Sequence, residues 1–265
     1  MSLALLPSLF AVHISDGVLQ STWLAGGFII SGLFALYGAW RIRDEEIPQI
    51  ALLTAAFFVA SSIHIKMGPS SWHLLFNGLV GVILGRRAAL AIPIGLTLQA
   101  VLLQHGGFTA IGVNTCIMLL PALAASVAFS AMRRATWLRR RSLTILEIMA
   151  GFVVGTLAVL ATIALNYVAL VFGSEMDLTV PARLLVLFYL PVAALEGVIV
   201  GFLVGFLVKV KPTMIGWGTS NEVFHGETTL GHDSHGISAG GNATVGPGAS
   251  VERHLQGVAE QSRQD

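Results

Sequence analysis

Hydrophobic residues along the chain fall into seven long segments, which short polar and charged stretches separate. Most segments approach the roughly 20 apolar residues that a helix needs to cross a bilayer. They span about 22–41, 48–66, 73–85, 88–104, 111–132, 144–172 and 182–209. The pattern predicts an all-α polytopic membrane protein with about seven transmembrane helices. The count falls to six if the short third segment is a tilted or half-inserted helix.

Composition agrees with a membrane protein. Hydrophobic residues make up 55% of the 265 residues and charged residues only 11%, against about 25% charged residues in soluble domains. The net charge of +1 gives no general attraction to nucleic acid, so we expect no nucleic-acid partner. The single cysteine, Cys116, excludes a disulfide framework and a cysteine-based zinc site.

Basic residues orient the predicted helices. They cluster after the odd-numbered segments, at Arg41, Arg43, Arg86, Arg87, Arg133, Arg134, Arg139, Arg140, Arg141, Lys209 and Lys211. The opposite side carries Lys66 and Arg183. Because cytoplasmic loops of membrane proteins are enriched in Lys and Arg, we expect the N-terminus outside and the C-terminus in the cytoplasm. The alternation favours seven spans over six.

The composition changes after residue 211. Residues 212–265 are rich in Gly, Ser, Thr and Asn and have little apolar periodicity, which predicts a disordered cytoplasmic tail. The tail contains His225, His232, His235 and His254, which either bind a divalent metal loosely or belong to a flexible segment without that role. Residues 12–211 form the predicted membrane domain.

Four further histidines, His13, His64, His73 and His105, all fall at the outer ends of the predicted spans. Imidazoles grouped on one face predict an externally open metal site. The alternative is that histidines are simply tolerated at membrane interfaces. Glu196 lies in the middle of the seventh segment, and a carboxylate there is a functional candidate because an unpaired charge is costly in lipid. We favour a structural role for it, either paired with an arginine of a partner subunit or neutral in a helix interface.

Four stretches carry a resemblance to a known family. HISDG, GPSSWHLLFNGLVGVILG, LQAVLLQHGGFTAIGVNT and PVAALEG occur in this order and with a similar spacing. They resemble the CbiM/NikM family, the membrane substrate-binding subunits of energy-coupling-factor cobalt and nickel transporters. The resemblance covers about residues 12–210. This chain departs from the family pattern at two positions. Ile111 stands where the family has Leu, and His13 is preceded by twelve residues, whereas the family places this histidine directly after the N-terminal residue.

The resemblance implies a metal site of four nitrogens. The ligands would be the free amine of Val12, the amide nitrogen and imidazole of His13, and the imidazole of His73. The first three close a five-membered and a six-membered chelate ring, which fixes them nearly in a plane. Planar nitrogen sites suit Ni²⁺, and Co²⁺ can accept the same ligands. His64, His105 and Asn114 are candidates for a supporting role around these ligands.

This ligand set requires a free amine on Val12, so we expect residues 1–11 to be absent from the mature protein. Either translation starts at Val12 and residues 1–11 are a start-site artefact, or a leader is cleaved after Ala11. We favour the start-site explanation, because 11 residues without Lys or Arg are too short for an ordinary secretory signal.

The function implied is that of the substrate-capture subunit of an ATP-driven importer for Co²⁺ or Ni²⁺ in the cell inner membrane. Its expected partners are a transmembrane coupling subunit, two cytoplasmic ATPase subunits and, in some systems, a small accessory membrane subunit. The chain has no Gly-x-x-x-x-Gly-Lys-[Ser/Thr] motif, so ATP hydrolysis would belong to partners. We expect no enzymatic activity and no prosthetic group, with the metal as substrate. The alternative is a self-sufficient secondary nickel/cobalt permease, although its His-x4-Asp-His motif is missing. The sequence does not choose between cobalt and nickel.

Overall fold

In the part of the chain that the structure describes, seven α-helices follow one another in the order of the seven predicted segments. The computed structural model describes residues 13–63, 65–67, 70–137 and 143–215. The helices are α1 (Ser21–Ala39), α2 (Ile47–Ser62), α3 (Asn77–Leu84), α4 (Ala88–Leu103), α5 (Ile111–Trp137), α6 (Leu143–Gly173) and α7 (Thr179–Val210). A short antiparallel hairpin, β1 (Ile65–Met67) and β2 (Ser70–Trp72), joins α2 to α3. The expectations for residues 1–11, Val12, His64 and most of the tail lie outside the described residues.

Among the described residues, five segments are long and apolar enough to cross a membrane. They are Ser21–Ala39, Asn77–Leu103, Ile111–Ala135, Ile145–Gly173 and Thr179–Val210. This confirms the prediction of an all-α, multi-pass membrane protein. The segment Asn77–Leu103 combines α3 and α4, of 8 and 16 residues, with one short turn between them. Helix α2, at 16 residues, is shorter than the roughly 20 residues of a full crossing. The exact number of spans and the orientation of the chain stay predictions.

The third helix begins later than predicted. The apolar run 73–85 predicts a helix from residue 73, but α3 begins at Asn77. Residues 73–76 instead form a non-helical segment, in which Phe76 has a left-handed conformation with φ +49° and ψ 7°. The backbone N–H groups of Leu75 and Phe76 are bonded to the side chain of Glu196 in α7. This tertiary contact overrides the helical preference of the apolar run. The predicted second segment, 48–66, likewise ends early, at Ser62, because the chain then enters the hairpin.

Close packing between helices depends on glycine, as two positions illustrate. A Cβ atom at Gly201 of α7 would lie 2.8 Å from the carbonyl oxygen of Ile148 in α6, and one at Gly81 of α3 would overlap the carbonyl of Ala122 in α5. Small residues of this kind let backbones approach closely in a membrane, where packing rather than water exclusion drives helix association. The glycines spaced along α6 and α7 therefore serve contacts inside this chain.

Large apolar side chains lie on both the inside and the outside of the bundle. Phe57 and Met118 are each 1% exposed and belong to the core, whereas Leu36 and Phe202 are each 68% exposed. Extended apolar surface of this kind marks contact with a membrane or a partner. In a chain with five helices of spanning length, these outer residues are placed to face lipid.

The buried Arg87 lies directly before the start of α4 and connects it to the end of α1 and the start of α2. Its guanidinium donates hydrogen bonds to the carbonyl oxygens of Gly38 (2.5 Å), Trp40 (3.0 Å) and Arg41 (2.8 Å), and to Oε2 of Glu46 (2.6 Å). The bond from Arg87 lowers the pKa of the Glu46 carboxyl below its usual value. Arg87 thus satisfies backbone carbonyls at the C-terminal end of α1 and links them to the start of α2.

Candidate metal centre

Three imidazoles converge at one end of the bundle. One ring nitrogen from each of His13, His73 and His105 can be chosen so that all three lie within 4.8 Å of one another. The three residues come from separate parts of the chain, namely the segment before α1, the segment between β2 and α3, and the loop between α4 and α5. His13 and His73 are each 2% exposed, and His105 is partly exposed. The cluster is therefore open to solvent mainly on the His105 side.

The rings have a defined mutual orientation. Those of His13 and His73 are stacked, with centroids 5.0 Å apart and planes 11° from parallel. The ring of His105 is perpendicular to both, at an interplanar angle of 88°, with centroids 5.0 Å from His13 and 5.4 Å from His73. Imidazole nitrogens so arranged are ligands that Co²⁺, Ni²⁺, Cu²⁺ and Zn²⁺ accept.

Asn114, near the start of α5, fixes the backbone next to His13. Its Oδ1 accepts a hydrogen bond from the N–H of Ile14, and its Nδ2 donates one to the carbonyl oxygen of Ile14, both at 2.9 Å. The N–H of Gly107 donates to the same carbonyl at 3.2 Å. Asn114 is 3% exposed. Its side chain therefore ties α5 to the backbone directly after His13.

Asp16 makes a second connection between the same two segments. Its carboxylate accepts hydrogen bonds from the N–H of Phe108 (3.1 Å) and from the N–H (2.7 Å) and hydroxyl (2.5 Å) of Thr109. Partial burial opposes ionisation, but these bonds outweigh it and hold the pKa of Asp16 below its usual value. Sequence reasoning assigned Asp16 no role, although it belongs to the HISDG stretch, and an acid so close to a candidate ligand was the available clue.

The loop carrying His105 turns sharply after α4. Gln104 has φ +52° and Gly106 φ +77°, both in the left-handed region that non-glycine residues adopt only at a cost of about 1–2 kcal/mol. The N–H of His105 donates to the carbonyl oxygen of Gln99 at 3.2 Å. These conformations fold the loop back over the end of the bundle. Helix α5 begins only after this loop, at Ile111.

Helix α7 holds the segment that carries His73. Oε2 of Glu196 accepts the N–H of Leu75 at 2.8 Å, and Oε1 accepts the N–H of Phe76 at 2.6 Å. The Glu196 side chain is completely buried. The ring of Tyr189, also on α7, lies edge-on to the imidazole of His73 with centroids 6.4 Å apart. Glu196 thus binds a backbone segment of its own chain, a role that the sequence did not reveal.

Of the residues proposed from the sequence, the structure brings together His13, His73, His105 and Asn114. From the sequence, His105 was only a candidate for a supporting role around the ligands. In the structure its imidazole lies about as close to the rings of His13 and His73 as these two rings lie to each other. Val12 and His64 lie outside the described residues, so the four-nitrogen planar ligand set stays a prediction.

Comparison with known proteins agrees with this architecture. A family described as the cobalt uptake substrate-specific transmembrane region, CbiM, matches residues 13–214. A putative metal transport protein of Haemophilus influenzae is 33% identical over 205 residues, which cover 77% of this chain and 97% of that protein. A putative fused nickel transport protein NikMN of Archaeoglobus fulgidus is 28% identical, and the match covers 77% of this chain and 68% of that protein.

A solved structure described as a truncated transition metal transporter has a similar fold. Its TM-score is 0.58 at 22% sequence identity, and the match covers 74% of this chain and 98% of the other. The family match takes in all three clustered histidines and every helix of the bundle. This multi-pass membrane chain therefore belongs to the CbiM family of cobalt-uptake transmembrane proteins.

Proposed function

We propose that this protein is the substrate-capture subunit of an importer for Co²⁺ or Ni²⁺, and that it binds the ion at the outer face of the membrane. The observation that carries the proposal is the convergence of His13, His73 and His105 from three separate segments within 4.8 Å. Two of these imidazoles are nearly buried. Asn114 and Asp16 hold together the two segments that carry His13 and His105.

The proposed ligands are the amine of residue 12, the amide nitrogen and imidazole of His13, and the imidazole of His73. The family membership and the proximity of the His13 and His73 rings support this set. His105, perpendicular to both rings, offers a further nitrogen from outside the pair. All of these groups bind metal in their deprotonated forms, so affinity falls with falling pH.

Energy for uptake comes from partner proteins in this proposal. The sequence lacks the phosphate-binding motif of ATPases, so a membrane coupling subunit and two ATPase subunits drive transport, with a small accessory membrane subunit in some systems. The fused organisation named for the Archaeoglobus relative supports a function within a larger assembly. Uptake that proceeds in vesicles without ATP or partner subunits would favour a self-sufficient permease instead.

The direct test is metal binding by purified protein in two forms. One begins at residue 12, with Met replacing Val12 as initiator, and the other retains residues 1–11. We expect the shorter form to bind one Ni²⁺ or Co²⁺ per chain, and His13→Ala or His73→Ala to abolish tight binding. His225→Ala, in the tail, is the matched histidine control and should bind as the parent does. Full binding by both His13→Ala and His73→Ala would overturn the proposal, and tight binding by the longer form would remove the amine from the ligand set.

A further inference from the structure

The contact between Glu196 and the segment after His73 points beyond metal capture itself. We propose that Glu196 is a positioning residue, which sets the place of the His73 imidazole by binding the backbone that follows it. The proposal rests on the metal-capture function above. Helix α7 contributes none of the three histidines, but in this proposal it sets the position of one of the metal ligands.

The hydrogen bonds use both oxygens of the carboxylate. Leu75 and Phe76, 121 and 120 residues away in sequence, each donate one backbone N–H to a different oxygen. These donors lie two and three residues after His73, so the carboxylate fixes the backbone close to the imidazole. A carboxylate has two acceptor oxygens, whereas an amide of the same shape has one and turns an NH₂ group toward the second N–H. The contact therefore depends on the acid.

The bound segment is one that would not keep its shape unaided. Phe76 has φ +49°, a conformation that costs a non-glycine residue about 1–2 kcal/mol. It occupies the N-cap position of α3 and provides no side-chain cap of its own. The Glu196 carboxylate binds the N–H groups of the cap residue and of the residue before it, at a helix N-terminus where a negative charge is favourable. Without it, α3 would be free to begin earlier and move His73.

Burial of this carboxylate is a poor way to gain stability alone. Glu196 is 0% exposed, and within the described part of the chain its hydrogen bonds come from backbone N–H groups rather than from a basic side chain. Desolvating a charge costs several kcal/mol, and well-packed apolar residues often stabilise such a site better. A residue that is costly to bury and holds the backbone beside a metal ligand fits a positioning role. Strained backbone is likewise concentrated at functional sites.

Helix α7 makes a second contact with the same histidine. The Tyr189 ring, 0% exposed, packs edge-on against His73 at 79°. Tyr189 and Glu196 are seven residues apart, which places them on the same face of the helix, two turns from each other. One face of α7 thus contacts the His73 ring directly and the backbone after it through Glu196. His13 is held independently, by Asn114 of α5.

The test compares Glu196→Gln with Glu147→Gln in the protein that begins at residue 12 and keeps its tail, purified in detergent. Glu147 is the matched control because it is another buried carboxylate, 1% exposed. It lies near the N-terminal end of α6, away from the metal cluster. We measure the Ni²⁺ dissociation constant by calorimetry and the unfolding temperature of each variant. Glu196→Gln should weaken Ni²⁺ binding by about 10–100-fold, as loss of groups that orient metal ligands does. It should also alter the ligand-field absorption of bound Ni²⁺.

Glu147→Gln should change the unfolding temperature alone, leaving Ni²⁺ affinity and absorption as in the parent. A purely structural role for Glu196 would give that same result for Glu196→Gln, and an affinity within twofold of the parent would overturn the proposal. If Glu196→Gln does not fold, the Ni²⁺ affinity of Glu196→Asp tests the proposal instead. This variant keeps both oxygens on a shorter side chain, so a smaller loss of affinity is expected and unchanged affinity overturns the proposal. A parent protein that binds neither Ni²⁺ nor Co²⁺ overturns the metal-capture function and this inference with it.

Discussion

The side-chain amide of Asn114 forms two hydrogen bonds of 2.9 Å with the backbone of Ile14, one as acceptor and one as donor. A side-chain amide paired with a backbone in this way resembles one rung of a β-ladder. It joins the start of α5 to the residue directly after His13. The position of the His13 imidazole is therefore tied to α5.

Asn114→Ala should leave the N–H of Ile14 buried without its acceptor. An unsatisfied buried group costs about 1–3 kcal/mol, and the freed backbone lets His13 move. We expect a lower unfolding temperature together with a loss of about 10-fold or more in Ni²⁺ affinity, both measurable on one preparation. Asn166→Ala removes another fully buried amide, in α6, and should affect stability alone. Equal affinity losses in the two variants would contradict a specific role for Asn114.

Asp16→Asn should weaken the connection between the segment before α1 and the loop after α4. The folded state lowers the pKa of Asp16, so its contribution is complete above the ordinary value near 4 and is lost only as the pH falls through the lower, folded value. Between pH 8 and 5 the carboxylate stays ionised. The variant should therefore bind Ni²⁺ more weakly than the parent by a constant factor across that range.

The fall in Ni²⁺ affinity between pH 7 and 5 should instead follow protonation of the imidazoles, with the same slope in the parent and in Asp16→Asn. Titrations of Ni²⁺ affinity against pH measure both slopes. A difference between the parent and the variant that disappears already at pH 6 would show that Asp16 titrates higher than its hydrogen bonds indicate.

His105→Ala distinguishes a supporting imidazole from a ligand. If the metal is held by the amine of residue 12, His13 and His73, removal of His105 should cost about 10-fold in affinity and keep the absorption spectrum of bound Ni²⁺. His73→Ala should abolish tight binding. Loss of binding in His105→Ala as complete as in His73→Ala would instead make His105 a ligand of equal standing.

Arg87→Met should destabilise the protein without affecting metal capture. The change removes four hydrogen bonds from the C-terminal end of α1 and the start of α2. One of them goes to the carbonyl of the buried Gly38, and a buried polar group left without its partner costs about 1–3 kcal/mol. Thermal unfolding should show a clear loss of stability, with the Ni²⁺ dissociation constant of the folded protein unchanged. The neighbouring, less buried Arg86→Met is the control and should have a small effect.

Much of the fold could be predicted because it follows from the lengths of apolar runs. The seven segments correspond to the seven helices, and α6 and α7 begin and end within three residues of prediction. The third segment was placed too early, because Leu74, Leu75 and Phe76 look helical and only the tertiary contact with Glu196 shows otherwise. Apolar periodicity contains no information about a hydrogen bond between residues 120 apart.

The candidate site was predictable to a different degree for each residue. His13, His73 and His105 could be grouped from the sequence, because each falls at the same predicted end of a predicted span. His64, which the sequence grouped with them, lies outside the described residues. The sequence could not rank His105 beside His13 and His73, since its position depends on the left-handed conformation of Gln104. Glu196 was noticed as a carboxylate within a span, but its binding partner is a backbone segment with no sequence signature. Asp16 was missed because its partners, Phe108 and Thr109, lie 92 and 93 residues away.

The three imidazoles come from separate segments outside the helices, and this affects when the cluster can form during folding. While α5 or α7 has yet to dock, His13 and His73 lack the supports that bring them together, and each histidine is isolated. The cluster of three imidazoles therefore forms only when the helices of the bundle have assembled, and the metal site that we propose is completed at that stage.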